Sequence, residues 1–92
     1  MSISPTFDAR ASYKLSDDVA LRPERFGALA YHYGNRRLTF IKSEALAAIV
    51  AQLESHPSVE AALDAHAIGG AQRSVILAAL ANLQRSDVIR AR

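Results

Sequence analysis

Hydrophobic positions change their spacing near residue 42, and this change divides the chain into two parts. Before it, apolar residues mostly alternate with small or polar ones, which is typical of strands that bury one face. After it, they recur every three or four residues, which is typical of one helix face. We therefore predict an α+β fold in which a three-stranded antiparallel sheet is followed by three helices, in a winged helix-turn-helix-like arrangement.

The clearest local prediction is a hairpin centred on Gly34-Asn35. These residues separate two alternating runs, and a two-residue loop of this type is a strong hairpin signal. The resulting register pairs Ala28 with Ile41 and puts bulky side chains on one face of the hairpin. We expect this bulky face to cover the core, since a slip of one residue would reverse every side chain. Its members are Leu29, Tyr31, Leu38 and Phe40.

A first strand at Val19–Pro23 completes the predicted sheet, with Tyr13–Leu15 leading into it. Pro23 lacks a backbone N–H, so it is confined to an edge or a turn. We expect residues 1–12 to be a flexible N-terminus and residues 13–92 to form a single domain.

Three helices are predicted after residue 42. The first begins at Ser43, a candidate N-cap. The second is expected to end at Gly69-Gly70, because glycine commonly terminates helices. The third runs over residues 72–85, and the apolar pair 88–89 follows it as a short docked segment or strand. The apolar stripes of these helices are Leu46, Ile49, Val50 and Leu53, then Val59, Ala62, Leu63 and Ala67, then Ile76, Ala79, Leu80 and Leu83.

Composition agrees with this division and argues against catalysis. All six aromatic residues precede residue 41, and thirteen of the eighteen alanines follow residue 42, which fits strands first and helices second. A chain of 92 residues has little space for a deep cleft, and it carries no phosphate-binding loop and no metal-ligand cluster. We therefore expect no enzyme activity, no cofactor and no metal.

The cysteine count and the apolar runs bear on location. The chain has no cysteine, which fits a reducing compartment, and no secretion signal or apolar run of about 20 residues. We expect a cytoplasmic protein with no membrane partner.

Basic charge makes DNA binding an alternative. The pI is 9.4, and the basic excess lies in residues 1–42, with seven basic against four acidic side chains. A winged-helix DNA-binding protein would read bases with its third helix. That helix has only two arginines, which form no continuous stripe with the hairpin, so ordinary solvation is favoured. Its polar side chains are Gln72, Arg73, Ser74, Asn82, Gln84 and Arg85.

The last predicted strand leaves a second surface for binding. Arg36, Arg37 and Lys42 flank residues 38–41, at the edge of the sheet. These cations either protect an open strand edge from aggregation or attract an acidic or amphipathic peptide that adds as a further strand. A homodimer formed through the same edge is a third alternative, and the residues alone leave all three open.

Three segments resemble a known family: VALRPE at 19–24, FGALAY at 26–31 and RLTFIKS at 37–43. They are similar to the peptide chaperones of mycofactocin biosynthesis, within the wider PqqD-like precursor-peptide recognition domains. The resemblance spans about residues 13–89. It implies a non-catalytic domain that binds the leader of a ribosomally synthesised precursor peptide and presents it to a radical S-adenosylmethionine (SAM) maturase, which holds the iron–sulfur clusters. Nucleic acid is then not expected as a partner.

The resemblance also implies a binding site. In related recognition domains the leader adds beside the third strand and packs against the third helix. On this sequence the strand would contribute Arg37, Leu38, Thr39, Phe40 and Ile41, and the helix would contribute Val75, Ala78, Ala79 and Asn82.

Overall fold

A three-stranded antiparallel sheet and three helices form the body of the protein, and a two-stranded sheet brings residues 13–15 next to residues 89–91. The structure, a computed structural model, describes residues 7–92. It confirms the predicted α+β class and the order of strands before helices. The elements are β1 Tyr13–Leu15, β2 Val19–Glu24, β3 Gly27–His32, β4 Leu38–Ile41, α1 Glu44–Gln52 with a 3-10 turn at Leu53–Ser55, α2 Val59–Ala65, α3 Gly70–Arg85 and β5 Ile89–Ala91.

The first strand belongs to the smaller sheet. β1 pairs antiparallel with β5, so that Tyr13 lies opposite Ala91 and Leu15 lies opposite Ile89. Tyr13 and Ile89 are both buried. The expectation that residues 13–15 lead into the first strand of the larger sheet is therefore wrong. The predicted docked segment after the third helix is confirmed.

The hairpin of β3 and β4 has the predicted register but buries the opposite face. Ala28 lies opposite Ile41, and Tyr31 lies opposite Leu38. Ala28 and Ile41 are buried, whereas Leu38 and Phe40 are 55% and 57% exposed. The expectation that the bulky face covers the core is therefore wrong.

Small side chains on the inner face explain this orientation. Ala28 and Ala30 are almost fully buried, and α1 packs across β3 on this side of the sheet. Since the helices supply most of the bulk of the core, the sheet has little volume left to fill. The large, fully buried side chains from the helical part are Ile49, Val50, Leu53, Val59, Leu63 and Leu80.

The loop between β3 and β4 is longer than predicted. The N–H of His32 donates to the oxygen of Arg37 at 2.9 Å, and the N–H of Arg36 donates to the oxygen of His32 at 2.8 Å. Four residues, 33–36, therefore form the loop in place of Gly34-Asn35 alone. The left-handed residue is Arg36, with φ 61. A two-residue and a four-residue loop give the same pairing here, so the register is unaffected.

The ends of the helices follow the prediction at α1 and depart from it at α2. The hydroxyl of Ser43 accepts the N–H of Leu46 at 3.1 Å, which confirms the predicted N-cap. α2 ends through Ala67, which adopts φ 56, so glycine does not terminate it. Gly69 and Gly70 instead begin α3, because Gly69 is its N-cap.

Residues 7–12 lie against α2 and the core. The oxygen of Ala9 accepts the N–H of Glu60 at 2.9 Å, and the oxygen of Ala11 accepts the N–H of Val59 at 3.2 Å. The ring of Phe7 stacks on that of Tyr13 at 5.0 Å. The flexible terminus expected at residues 1–12 falls partly outside the described residues, and the division of the chain at residue 12 stays a prediction.

Candidate functional site

The edge of β4 presents free backbone groups. The three-stranded sheet has the order β2-β3-β4, so β4 is one of its two edges. The carbonyl of Arg37 faces β3, because its oxygen accepts the N–H of His32. Since backbone groups alternate in direction along an antiparallel strand, Thr39 and Ile41 also face β3. The N–H and C=O groups of Leu38 and Phe40 therefore point away from the sheet.

The side chains of the predicted strand site divide between the two faces. Ile41 is buried beneath the sheet, and Thr39 on the same face is half-buried. Leu38 and Phe40 project from the outer face, and Arg37 is exposed at the start of the strand. The five residues predicted as a peptide-binding strand are therefore contiguous along one edge of the sheet. On the outer face an added strand would lie beside exposed apolar side chains, whereas on the inner face it would lie beside half-buried or buried ones.

The predicted helix site lies mostly on the exposed side of α3. Val75 is 67% exposed, Ala78 and Asn82 are exposed, and Ala79 is half-buried against the core. Three of these residues, at positions 75, 78 and 82, follow the spacing of one helix face. Among the strands, α3 packs most extensively against β5. The structure therefore does not bring these side chains into close packing with β4.

A buried histidine network holds the loop beside β4. Nε2 of His32 lies 2.8 Å from Oδ2 of Asp87, while Nδ1 accepts the N–H of Gly34 at 3.0 Å and the N–H of Asn35 at 3.2 Å. These contacts require the proton on Nε2 and none on Nδ1. The hydrogen bond from His32 lowers the pKa of Asp87 below its ordinary value of 3.8, partial burial opposes this, and the charge of Arg90 adds to the lowering.

The role of His32 in this network is structural. The sequence placed His32 on the small face of the hairpin, where the structure also places it. The same reasoning did not find its partner Asp87, since the two lie 55 positions apart in the chain.

An apolar groove of about 550 Å³ lies at the opposite edge of the sheet, between β2 and α1. This groove was not predicted from the sequence, although the small residues at positions 47, 48 and 51 leave space along one side of α1. Glu24 and Glu44 are its acidic members. Its other lining residues are Leu15, Leu21, Pro23, Gly27, Ala28, Ala47, Ala48 and Ala51.

The basic side chains of α3 are engaged within the protein. Nη1 of Arg73 donates to Oδ1 of Asp64 at 3.0 Å and to the oxygen of Ile68 at 2.9 Å. Arg85 donates to the side-chain oxygen of Asn82. These contacts favour a structural role for both arginines over base recognition.

Residues 7–92 contain neither a metal-binding cluster nor a membrane-spanning helix. In this range no three His, Cys, Asp or Glu side chains come together in a way that could hold a metal ion. Each helix there is also too short or too polar to cross a lipid bilayer.

Comparison with known proteins gives a consistent result. Residues 12–90 match the model of the peptide chaperone MftB family. The chain is 40% identical to peptide chaperone MftB of Mycolicibacterium smegmatis over 91% of its length and 82% of that protein. It is 39% identical to the protein of the same name from Mycobacterium ulcerans, over 90% and 76%, and 35% identical to that from Mycobacterium tuberculosis, over 94% and 79%. No solved structure shows significant similarity.

Proposed function

Because this chain belongs to the peptide chaperone MftB family, we propose that it acts in mycofactocin biosynthesis by binding the leader of a precursor peptide as an added strand on β4. The chaperone does no chemistry on the peptide. It presents the bound leader to a radical SAM maturase, which modifies the remainder of the peptide. This division of work is consistent with a domain whose described residues offer an open strand edge.

The outward backbone of Leu38 and Phe40 is the observation that carries this proposal. An antiparallel peptide strand would satisfy two N–H and two C=O groups that the sheet leaves free. Each such hydrogen bond contributes on the order of 1 kcal/mol net. Because the contacts are made by the main chain, they tolerate different leader sequences, and the side-chain surroundings then select among them.

The surroundings of β4 favour an acidic, amphipathic leader. Arg36, Arg37 and Lys42 are exposed at the two ends of the strand, and none forms an ion pair within residues 7–92. Outward side chains of the leader would lie beside Leu38 and Phe40. Inward ones would face the side of the domain that carries α3, and the residues proposed to contact them there are Val75, Ala78, Ala79 and Asn82.

Titration with the cognate precursor peptide tests this proposal. We expect heat of binding in calorimetry and slower hydrogen exchange at the amides of Leu38 and Phe40. The amide of Thr39 serves as an internal control, because it already donates within the sheet and should change less. Absence of heat together with unchanged exchange at positions 38 and 40 would reject strand addition at β4.

Two further measurements separate the alternatives. If the protein instead bound DNA through several phosphates, affinity for duplex DNA would fall by orders of magnitude between low and moderate salt. If β4 paired with a second copy of the chain, sedimentation would show a dimer that the precursor peptide dissociates.

A further inference from the structure

The outward face of the larger sheet is unusually apolar for a solvent-exposed surface. We define the outer sheet face as the side of β2, β3, β4 and their connecting turns that is opposite the helices. Five large hydrophobic side chains are exposed in residues 7–92, and four of them belong to this face, with Val75 as the exception. Exposed apolar side chains collected on one surface mark an interaction site more often than scattered ones do. The four are Phe26, Tyr33, Leu38 and Phe40, with Leu29 and Tyr31 half-buried between them.

The aromatic side chains of this face hold one another in place. Phe26 stacks on Phe40 with ring centroids 5.8 Å apart, and Tyr31 meets Tyr33 edge to face at 5.2 Å. Packed rings lose less conformational entropy on binding than free ones do. The outer sheet face is therefore already ordered before a partner arrives.

Unpaired cations border the outer sheet face at both ends. Arg25 and Lys42 lie at the end where β2 turns into β3, and Arg36 lies in the hairpin loop. All three are exposed and lack an ion-pair partner within residues 7–92. β4 has three residue steps of about 3.4 Å each, so its ends are about 10 Å apart. Arg22, in contrast, is paired with Glu24 at 2.7 Å.

We propose that the outer sheet face is a docking surface for a folded protein whose own surface presents apolar side chains bordered by carboxylates. Such a partner matches both the apolar centre and the cationic ends. A second copy of the same face would bring cations towards cations, which disfavours self-association. Single-stranded nucleic acid would complement the cations, but its bases need exposed aromatic rings on which to stack. Here the aromatic rings pack against each other, and Leu29 and Leu38 lie between them.

This inference extends the proposed function, since the maturase is the partner that it assigns to the face. It differs from peptide capture in the atoms involved. The leader uses the backbone edge of β4, whereas the docking surface uses side chains that reach back to β3 and the loops. An added leader strand would place its own outward side chains beside Leu38 and Phe40, so that the partner contacts chaperone and leader together.

A double variant away from β4 separates the two sites. Arg25→Glu/Tyr33→Ser changes one exposed side chain at each end of the outer sheet face and leaves the strand edge intact. Gln52→Glu/Gln72→Glu is the matched control, because it lowers the net charge by the same amount at exposed positions on α1 and α3. The affinities of each variant for the purified maturase and for the precursor peptide are measured separately.

We expect Arg25→Glu/Tyr33→Ser to weaken maturase binding at least about tenfold, as loss of an aromatic anchor and a matched charge does. Its affinity for the precursor peptide should stay within about threefold, and the control should match the wild type in both assays. Circular dichroism confirms that each variant is folded, and Arg25→Glu alone replaces the first variant if that variant is not.

Unchanged maturase affinity in a folded variant would overturn the inference. The inference would also be overturned if the variant lost single-stranded oligonucleotide binding, or shifted a monomer–dimer equilibrium, while its maturase binding stayed intact. If the precursor peptide fails to bind the wild type, the proposed function fails, whereas the comparison of maturase affinities still decides the role of the outer sheet face.

Discussion

Nε2 of His32 lies 2.8 Å from Oδ2 of Asp87, so one hydrogen bond joins the last residue of β3 to the residue that ends the C-terminal turn of α3. Asp87 holds this position in a left-handed conformation, with φ 60. Its N–H donates to the oxygen of Gln84, while the N–H of Val88 donates to the oxygen of Leu83. The helix terminus and the hairpin loop are thus fixed by the same residue.

Replacing Asp87 should reveal both roles. Asp87→Ala removes the hydrogen-bond acceptor of buried His32. It also leaves a residue with a Cβ atom at positive φ, where no side-chain hydrogen bond offsets the steric cost. We expect a loss of about 2–3 kcal/mol in the free energy of unfolding, measured with urea. Asp87→Asn keeps an acceptor and tolerates this conformation, so it should lose less than about 1 kcal/mol. Equal losses for the two variants would contradict this account.

The same contact predicts a loss of stability in acid. The folded-state pKa of Asp87 is lowered, chiefly by the hydrogen bond from His32, so its ionised form favours the folded protein. This contribution is fully present above the ordinary pKa of 3.8 and is lost as the pH falls through the lower, folded value. Urea midpoints measured between about pH 6 and pH 3 should therefore fall more steeply for the wild type than for Asp87→Asn. Parallel curves would show that Asp87 makes no such contribution.

Proline substitutions test which backbone groups of β4 receive the peptide. Leu38→Pro removes an outward N–H at the first residue of the strand and leaves the pairing with β3 intact. Compared with Leu38→Ala, we expect it to bind the precursor peptide about threefold to tenfold more weakly, at similar stability. Thr39→Pro removes an inward N–H and should lower the free energy of unfolding by about 3 kcal/mol. Equal peptide affinity for Leu38→Pro and Leu38→Ala would exclude that N–H from binding.

The left-handed Ala67 is a place where the protein can be made more stable. Glycine adopts φ 56 without the steric penalty that alanine incurs, so Ala67→Gly should raise the free energy of unfolding by about 0.5–1 kcal/mol. Ala65→Gly is the matched control, because Ala65 is still helical and the same change there should lower stability by a similar amount. Thermal melts of both variants should shift in opposite directions.

Local pattern was enough to predict the elements and the register of the hairpin. The alternation on each side of residues 34–35 specifies which residues face each other, and Ser43 marks the start of α1 as expected. The same alternation does not determine which face is buried. That depends on α1, which supplies bulky side chains and packs closely against Ala28 and Ala30, leaving Leu38 and Phe40 outside.

The remaining departures also arise from contacts distant in sequence or from unfavourable local conformations. Ala67 and Asp87 both adopt the left-handed conformation that glycine adopts most readily. The sequence therefore indicates Gly69-Gly70 as the end of α2, whereas these two residues begin α3. For the candidate site, the sequence identified the edge strand and its flanking cations. The sequence did not show that only one face of β4 is exposed, because that depends on how the helices pack against the sheet.

The pairing of β1 with β5 has a consequence for synthesis of the protein. Tyr13 is buried, yet its strand partner is Ala91, and Leu83, Val88 and Ile89 are also part of the core. A nascent chain leaves the ribosome from its N-terminus, so β1 and the larger sheet emerge before β5 has been translated. During that interval the C-terminal part of the core is missing, so the domain cannot close until β5 has been translated.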